Sequence, residues 1–509
     1  MAKYIMFQGT SSHVGKSILT AAFCRIFARK GCKIVPFKAQ NMALNSFVTP
    51  DGGEMGRAQV AQAEAAMLVP ETDMNPVLLK PVGNSRSQVI IRGVPVGTMS
   101  ASEYHLSYSL KAFEAVKEAL QRLDEEYELI VLEGAGSPAE VNLKDSDIVN
   151  MRVAKYLNAP VFLVADIDRG GSLAALVGTL ELLEPEERNL VKGLIINKFR
   201  GDPHLFEPAV TFLEEKTGKP VIGVMPYIDD LGIDEEDSVS LAEKPLRPEE
   251  ADIKIGVLLT PRISNFTDFD ALASERDVSL YYVKDAAALA EADVLILPGS
   301  KNTTEDLLYL RLSGLEEAVK SVQRRGIPIV GICGGYQMLG RSLADPHRVE
   351  SDRELVQGMG FLPMETVFTG TKLTAQVCCA CNGLDVFGQK ITVTRMLGYE
   401  IHMGQTTFTD DVMPVFELTE RKGRPCNEIV GAASVNAMIF GTYVHGLFDN
   451  DEFRNAFLNA LRRHKGLAPL TNRGNYRQKK DECYDRLADL TEASLDMDEV
   501  YTVLGEQSS

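Results

Sequence analysis

The stretch Gly9-Thr10-Ser11-Ser12-His13-Val14-Gly15-Lys16-Ser17 constrains this chain more than any other. It follows an apolar run at residues 4–8 and precedes a helix-compatible segment at about 18–30. A glycine-bounded loop between a strand and a helix points backbone N–H groups at one spot, and the helix dipole makes that spot favourable for phosphate. Thr10 and Gly15 belong to this cradle, Lys16 is placed to reach the β- and γ-phosphate oxygens of ATP, and Ser17 is placed to hold Mg²⁺. A first βα turn of this kind predicts an α/β fold around a parallel sheet.

The rest of the first half agrees. Short apolar runs at 34–38, 128–132, 161–166, 193–198 and 221–226 alternate with helical patterns at 57–67, 106–123 and 148–157. That alternation predicts a doubly wound sheet with ligands at the carboxyl ends of its strands. Lys38 stands at such an end and is a candidate substrate contact. Glu133 stands at another, beside the phosphate loop, and is the candidate second anchor for Mg²⁺. Its loop continues through Glu140, Asn142, Asp145 and Asp147, candidates for metal or substrate contact, with helix capping as the other role open to Asp145 and Ser146. Lys80, Arg86 and Arg92 are either a cation cluster for an anionic substrate or a solvated surface. The acidic, proline-containing stretch at 229–250 is the expected boundary. The expected domains are residues 1–235, a linker at 236–250, a second domain at 251–450 and a helical extension at 451–509.

In the second half, apolar runs at 253–259, 278–283 and 294–297 lead to Ile329-Val330-Gly331-Ile332-Cys333-Gly334-Gly335. A cysteine between a strand and a helix, with glycines on both sides, matches a nucleophile elbow, and the helix start favours its thiolate. The loop Pro298-Gly299-Ser300 suits an oxyanion hole made by the N–H groups of Gly299 and Gly334. A thiol nucleophile needs a base. His445, at the end of a strand-like run, is the first candidate and His402 the second.

Composition removes some classes. The net charge of −18 speaks against a nucleic-acid partner, and no run approaches the roughly 18 apolar residues of a membrane helix. The first residues enter a strand without a signal-peptide pattern, so a cytoplasmic location is expected. Eight scattered cysteines argue against a disulfide framework, and Cys378, Cys379 and Cys381 read as strand residues.

The form G-T-x-x-x-V-G-K-[ST] is one residue longer than the common phosphate loop and resembles that of dethiobiotin synthetase-like ATPases. That resemblance implies that Asn197 and Lys198 read the purine base. The second half resembles class I glutamine amidotransferases, a flavodoxin-like α/β domain. The order of the halves, with Gln40-Asn41-Met42-Ala43-Leu44-Asn45-Ser46, Glu133-Gly134-Ala135-Gly136-Ser137-Pro138-Ala139-Glu140, Leu297-Pro298-Gly299-Ser300-Lys301-Asn302-Thr303 and Gly441-Thr442-Tyr443-Val444-His445-Gly446-Leu447-Phe448, closely resembles the cobyric acid synthase family.

The resemblance implies that Cys333 is the nucleophile and His445 its base. It also implies glutamine- and ATP-dependent amidation, with Mg²⁺, of the b, d, e and g carboxylates of adenosylcobyrinic acid a,c-diamide through acyl phosphates. The wider class carries Glu two residues after the histidine, where this chain has Leu447, so a Cys-His dyad is expected. The other readings are a cobyrinic acid a,c-diamide synthase, a CTP synthase-like amidoligase, and a non-catalytic ATP switch with a vestigial glutaminase fold. Residues 40–46 and the loop at 9–17 weigh against the first two, and the intact Cys333/His445 pair against the third. The tail, with a helical pattern at Tyr484, Leu487, Ala488 and Leu490, is expected to pack on the second domain.

Overall fold

The computed structural model describes residues 2–83, 85–228, 232–233, 241, 244–410, 412–436 and 438–505. Part of the expected linker, residues 236–240, 242 and 243, lies outside them. The chain divides into two compact units. The first comprises Met1–Met42, Met55–Asp234 and Lys480–Ser509, and the second Ala43–Glu54 and Glu235–Lys479.

The first unit is built on a six-stranded sheet in the order Val221–Pro226, Val191–Phe199, Val161–Asp166, Lys3–Gly9, Leu129–Glu133, Ile34–Phe37. Every neighbouring pair is parallel. The central strands are buried along nearly their whole length, which explains their continuous apolar sequences. All six strands fall where the apolar runs predict them. Two helices follow the glycine loop and the Lys38 region, Lys16–Arg29 and Arg57–Ala65.

The segment carrying Lys80, Arg86 and Arg92 is a meander, Val77–Gly83, Arg86–Ile91 and Val94–Ser100, joined by Gln40–Met42 in a four-stranded second sheet. The helical pattern at 106–123 becomes Ser109–Glu126.

The tail departs from expectation. Helices Tyr476–Ser494 and Met497–Gly505 are present, but Tyr484, Leu487, Ala488, Leu495, Val500 and Val503 join the core of the first unit, beside Phe23, Phe27 and Ile222. Ion pairs flank this apolar contact. Arg25 and Arg29, on the helix after the glycine loop, pair with Asp485 and Asp489 at 2.8 and 2.7 Å. The extension expected at 451–509 is therefore split, with helix Asp451–His464 belonging to the second unit.

The second unit has an 11-stranded sheet. One half is parallel, in the order Val278–Val283, Ile253–Leu258, Val294–Leu297, Ile329–Ile332, Ile439–Thr442. The other half is antiparallel, apart from the parallel pairing of Ser342–Ala344 with Met364–Val386, and includes the long pair Met364–Val386 and Gln389–Phe408. Cys378, Cys379 and Cys381 lie on the first of these long strands, as expected. No helix among the described residues is long and apolar enough to cross a membrane.

Candidate functional site

In the first unit the glycine loop is pinned from below. Gly15 has φ 101, and a Cβ there would collide with the Asn197 side-chain amide, so the position requires glycine. Asn197 Nδ2 donates to the Val14 carbonyl at 2.8 Å. Lys198 Nζ donates to the His13 carbonyl at 2.8 Å and pairs with Asp166 at 2.8 Å. Both residues thus hold the loop in shape. Lys16 Nζ spans the loop mouth, donating to the carbonyls of Ser11 and Gly136 at 2.9 and 3.2 Å.

Glu133 is the centre of this site. Ser17 Oγ and Lys38 Nζ donate to its Oε1 at 2.8 and 2.9 Å, and Gln62 Nε2 donates to its Oε2 at 2.6 Å. A carboxylate and a hydroxyl converging beside a phosphate loop offer the hard oxygen donors that Mg²⁺ prefers, so these residues fit that ion. Gln62 carried no sequence signal, because it lies among alanines on a buried helix. Lys38, expected as a substrate contact, is buried against Glu133 instead.

An open cavity of about 920 Å³ borders the loop; Thr10, Gln40, Gly136, Glu140, Lys144 and Asp147 are among its lining residues. The Asp147 carboxylate accepts from the N–H groups of Val149 and Asn150, at 2.8 and 3.0 Å, and so also shapes the turn before helix Met151–Leu157. Asp145 does not line this cavity.

The basic cluster of Lys80, Arg86 and Arg92 does not assemble. Lys80 is buried on the first strand of the meander, and Arg86 donates to the Thr98 carbonyl. Arg92 follows the opposite end of the strand that Arg86 begins, and pairs with Glu118 and Asp73. A six-residue extended strand separates its ends by roughly 17–20 Å, too far for one carboxylate.

In the second unit, Cys333 has φ 49 and ψ −105, a strained backbone for a residue with a side chain and the signature of the predicted elbow. Gly335 makes the turn possible, since a Cβ there would run into the Leu297 carbonyl. The Cys333 N–H donates to the Thr442 carbonyl at 2.8 Å, and its thiol contacts the Ile401 carbonyl at 3.6 Å. The Gly299 loop lies against this turn. A Cβ placed on Gly334 would sit 2.8 Å from Ser300 N, and one on Gly299 would sit 3.2 Å from His445 Cε1.

His445 is buried and is not left without a carboxylate partner. Its Nδ1 meets Asp268 Oδ2 at 2.7 Å, and the adjoining Gly446 N–H donates to Asp268 Oδ1 at 2.9 Å. The expected dyad is corrected by this contact. The carboxylate comes from the turn after strand Ile253–Leu258, at residues 265–268, rather than from the position after the histidine. Leu447 is simply a core side chain. Burial pulls the His445 imidazolium down, but the charges of Asp268 and the Cys333 thiolate outweigh it, and the pKa is pushed up to about 10. Nε2, the atom on the Cys333 side, makes no hydrogen bond of ordinary geometry among the described residues.

His402 has other business. Its Nδ1 bonds to the Gly404 carbonyl at 2.8 Å, its ring stacks on Tyr443, and its Nε2 lies 3.6 Å from Glu400.

The geometry agrees with what known proteins resemble this chain. Residues 5–241 match the CobQ/CobB/MinD/ParA nucleotide binding domain, and residues 254–453 match the CobB/CobQ-like glutamine amidotransferase domain. The cobyric acid synthase of Pelotomaculum thermopropionicum is 53% identical over 99% of this chain and 97% of its own length. That of Moorella thermoacetica is 52% identical over 99% of this chain and 98% of its own. That of Carboxydothermus hydrogenoformans is 52% identical over 99% and 100%.

Proposed function

We propose, from the premise that the chain belongs to the cobyric acid synthase family, a division of labour between its two sites. The enzyme is a glutamine-hydrolysing ligase that forms amides in cobalamin synthesis. The finer reading is that the second unit releases ammonia and the first unit activates carboxylates of a corrinoid with ATP.

The observation that carries the reading is the chain Cys333–His445–Asp268. Asp268 holds the imidazole with Nε2 on the thiol side, and the Cys333 thiolate attacks the amide carbon of glutamine. The oxygen that gains charge is received by the N–H groups of Gly299 and Gly334. His445 then gives its proton to the departing ammonia. Water, deprotonated by His445, hydrolyses the thioester to glutamate and restores the thiolate.

In the first unit the N–H groups of the loop and Lys16 orient the ATP phosphates, while Asn197 and Lys198 support the loop and are assigned to the base. Ser17 and Glu133 would hold Mg²⁺, which supplies charge neutralisation for phosphoryl transfer. A carboxylate cannot expel hydroxide to ammonia, so the γ-phosphoryl group passes to a substrate carboxylate oxygen and ADP leaves. Ammonia attacks the acyl carbon, and inorganic phosphate departs with the former carboxylate oxygen. The cavity of about 920 Å³ beside Thr10 and Gly136 is of a size to accept a large substrate's side chain at this point. We assign the b, d, e and g carboxylates of adenosylcobyrinic acid a,c-diamide as the groups amidated.

Incubation with ATP, Mg²⁺, glutamine and adenosylcobyrinic acid a,c-diamide tests this. Mass spectrometry is expected to show conversion at four positions with one ADP per amide, and hydroxylamine in place of glutamine is expected to trap hydroxamates. ATP-independent product, or no amide with this substrate, overturns the reading.

A further inference from the structure

Residues Ala43–Glu54 leave the nucleotide-binding part of the chain and belong to the glutaminase unit. Within that unit they lie against the two supports of His445. The Ser46 carbonyl accepts from Asn265 Nδ2 at 3.0 Å and from the Tyr399 hydroxyl at 3.3 Å. Asn265 Nδ2 also donates to the Tyr399 hydroxyl at 2.9 Å.

Asn265 opens the turn that presents Asp268: it sits in the left-handed region, and its carbonyl accepts the Asp268 N–H at 3.1 Å. Tyr399 lies on the ring of His445, with centroids 5.1 Å apart and planes within 15°. The backbones of Tyr399 and His445 also exchange hydrogen bonds at 3.2 and 2.9 Å. Phe47 closes the stack with an edge contact to Tyr399 at 5.0 Å. One dipeptide, Ser46-Phe47, therefore touches both the support behind the catalytic carboxylate and the support on the face of the imidazole.

This packing is a satellite of the unit's core. Val48, Tyr399 and Ile401, with Phe47 against them, form a cluster separate from the main one. Tyr399 and Ile401 are fixed on strand Gln389–Phe408, so the movable side of this small cluster is the Phe47–Val48 side. Its ends are short tethers. Lys38, bonded to Glu133, is eight residues before Ser46, and Gln62, also bonded to Glu133, is eight residues after Glu54. Both arms thus run to the carboxylate at the centre of the nucleotide site.

We propose that residues 43–54 are a positioning strap for His445, seated by Phe47 on Tyr399, and that the strap makes glutamine hydrolysis responsive to nucleotide and substrate in the first unit. This rests on the ligase reading above. Phe47 and Tyr399 are positioning residues that touch neither glutamine nor ATP. ATP and Mg²⁺ compete with Lys38 and Gln62 for Glu133, and a change there shifts the two tethers and hence the seat of Tyr399.

Phe47→Ala in the full chain is the test. Glutaminase kcat with ATP and corrinoid present is expected to fall about 10- to 100-fold, the scale of a misplaced catalytic group. KM for glutamine is expected to stay within about threefold, since ground-state binding is untouched. The stimulation of glutaminase by ATP should shrink, and alkylation of Cys333 by iodoacetamide should lose its dependence on ATP. Phe47→Tyr should restore both. Tyr399→Phe, which removes only the hydroxyl that reaches Ser46, should shift the same parameters in the same direction and remains informative if Phe47→Ala folds poorly.

Unchanged glutaminase kcat and unchanged ATP stimulation in both variants overturn the strap. Ligation driven by ammonium salts separates the two ideas. It should be unaltered in Phe47→Ala if the strap acts only on His445. Absence of amide from the unsubstituted enzyme with both ammonium salts and glutamine would overturn the proposed ligation scheme, while the glutaminase assays would still decide the strap.

Discussion

A buried imidazole between a thiol and a carboxylate must keep one tautomer and accept a proton without leaving its place. Asp268 does both for His445 through the 2.7 Å contact at Nδ1. Asp268→Asn keeps the shape but removes the charge. Glutaminase kcat is expected to fall about 10²- to 10⁴-fold with little change in KM, by analogy with the loss of such a carboxylate in serine proteases. Unchanged kcat would remove Asp268 from the mechanism.

The same substitution has a signature in stability. The folded pKa of His445, at about 10, lies above its ordinary value of 6.5, so the folded state holds the proton more tightly. That contribution is fully present below pH 6.5 and is lost as pH rises through about 10. Urea unfolding at pH 7 and pH 9 should show stability declining with pH, and a shallower decline in Asp268→Asn.

Cys333 and His445 were legible because each follows a strand and each is an unusual residue type at that position. Asp268 was not, because its contact is made across 177 residues and the turn that carries it contains ordinary polar residues. The rule that ligands gather at the carboxyl ends of parallel strands would have pointed to this turn had it been extended to the strand ending at Leu258.

At the scale of elements, the parallel strands could be read because burial on both faces demands continuous apolar runs. The long antiparallel pair at Met364–Val386 and Gln389–Phe408 was legible only around Cys378–Cys381, because bulges break its alternation and one face is open in places. The basic residues at 80–92 show a related failure. Their spacing in sequence suggested a cluster, but a meander keeps Arg86 and Arg92 at opposite ends of a strand.

The tail helix Tyr476–Ser494 showed its apolar stripe but not its target, since a stripe says which face is buried and not against what. In the structure the stripe packs into the first unit's core, flanked by ion pairs: Arg25 and Arg29 meet Asp485 and Asp489, and Lys480 pairs with Glu64 at 2.5 Å. Leu487 is nearly fully buried in the first unit's core. Leu487→Ala is expected to cost about 2–5 kcal/mol, the range for deleting a buried leucine side chain. Because the helix is built onto the nucleotide unit, the lost stability should be seen in the unfolding transition that ATP protects. A shift confined to the transition that glutamine analogues protect would contradict this packing.

At the scale of the molecule, two chemistries share one chain because each solves the other's problem. Free ammonia is a minor species at neutral pH, so a ligase that relies on it is slow; a glutaminase without an acceptor only wastes glutamine. In the proposed division of labour the Cys333–His445–Asp268 chain makes ammonia where no external base is needed, and Lys16, Ser17 and Glu133 would orient the ATP whose γ-phosphoryl group supplies the leaving group that a carboxylate lacks. The two steps should therefore be separable by a single substitution. In Cys333→Ala, glutamine-dependent amidation is expected to drop by about 10⁴-fold or more, as for loss of a nucleophile that acts with its base as a unit. Ammonium salts should restore amidation to within about tenfold of the unsubstituted enzyme, because no atom of Cys333 takes part in the acyl phosphate step. The rescued rate should rise with pH as more ammonium becomes free ammonia, whereas the glutamine-dependent rate of the unsubstituted enzyme should not follow that rise. Mass analysis of the corrinoid product at two pH values reads both. Failure of ammonium to rescue Cys333→Ala, with ATP hydrolysis intact, would mean that ammonia reaches the acyl phosphate only from a properly formed glutaminase site.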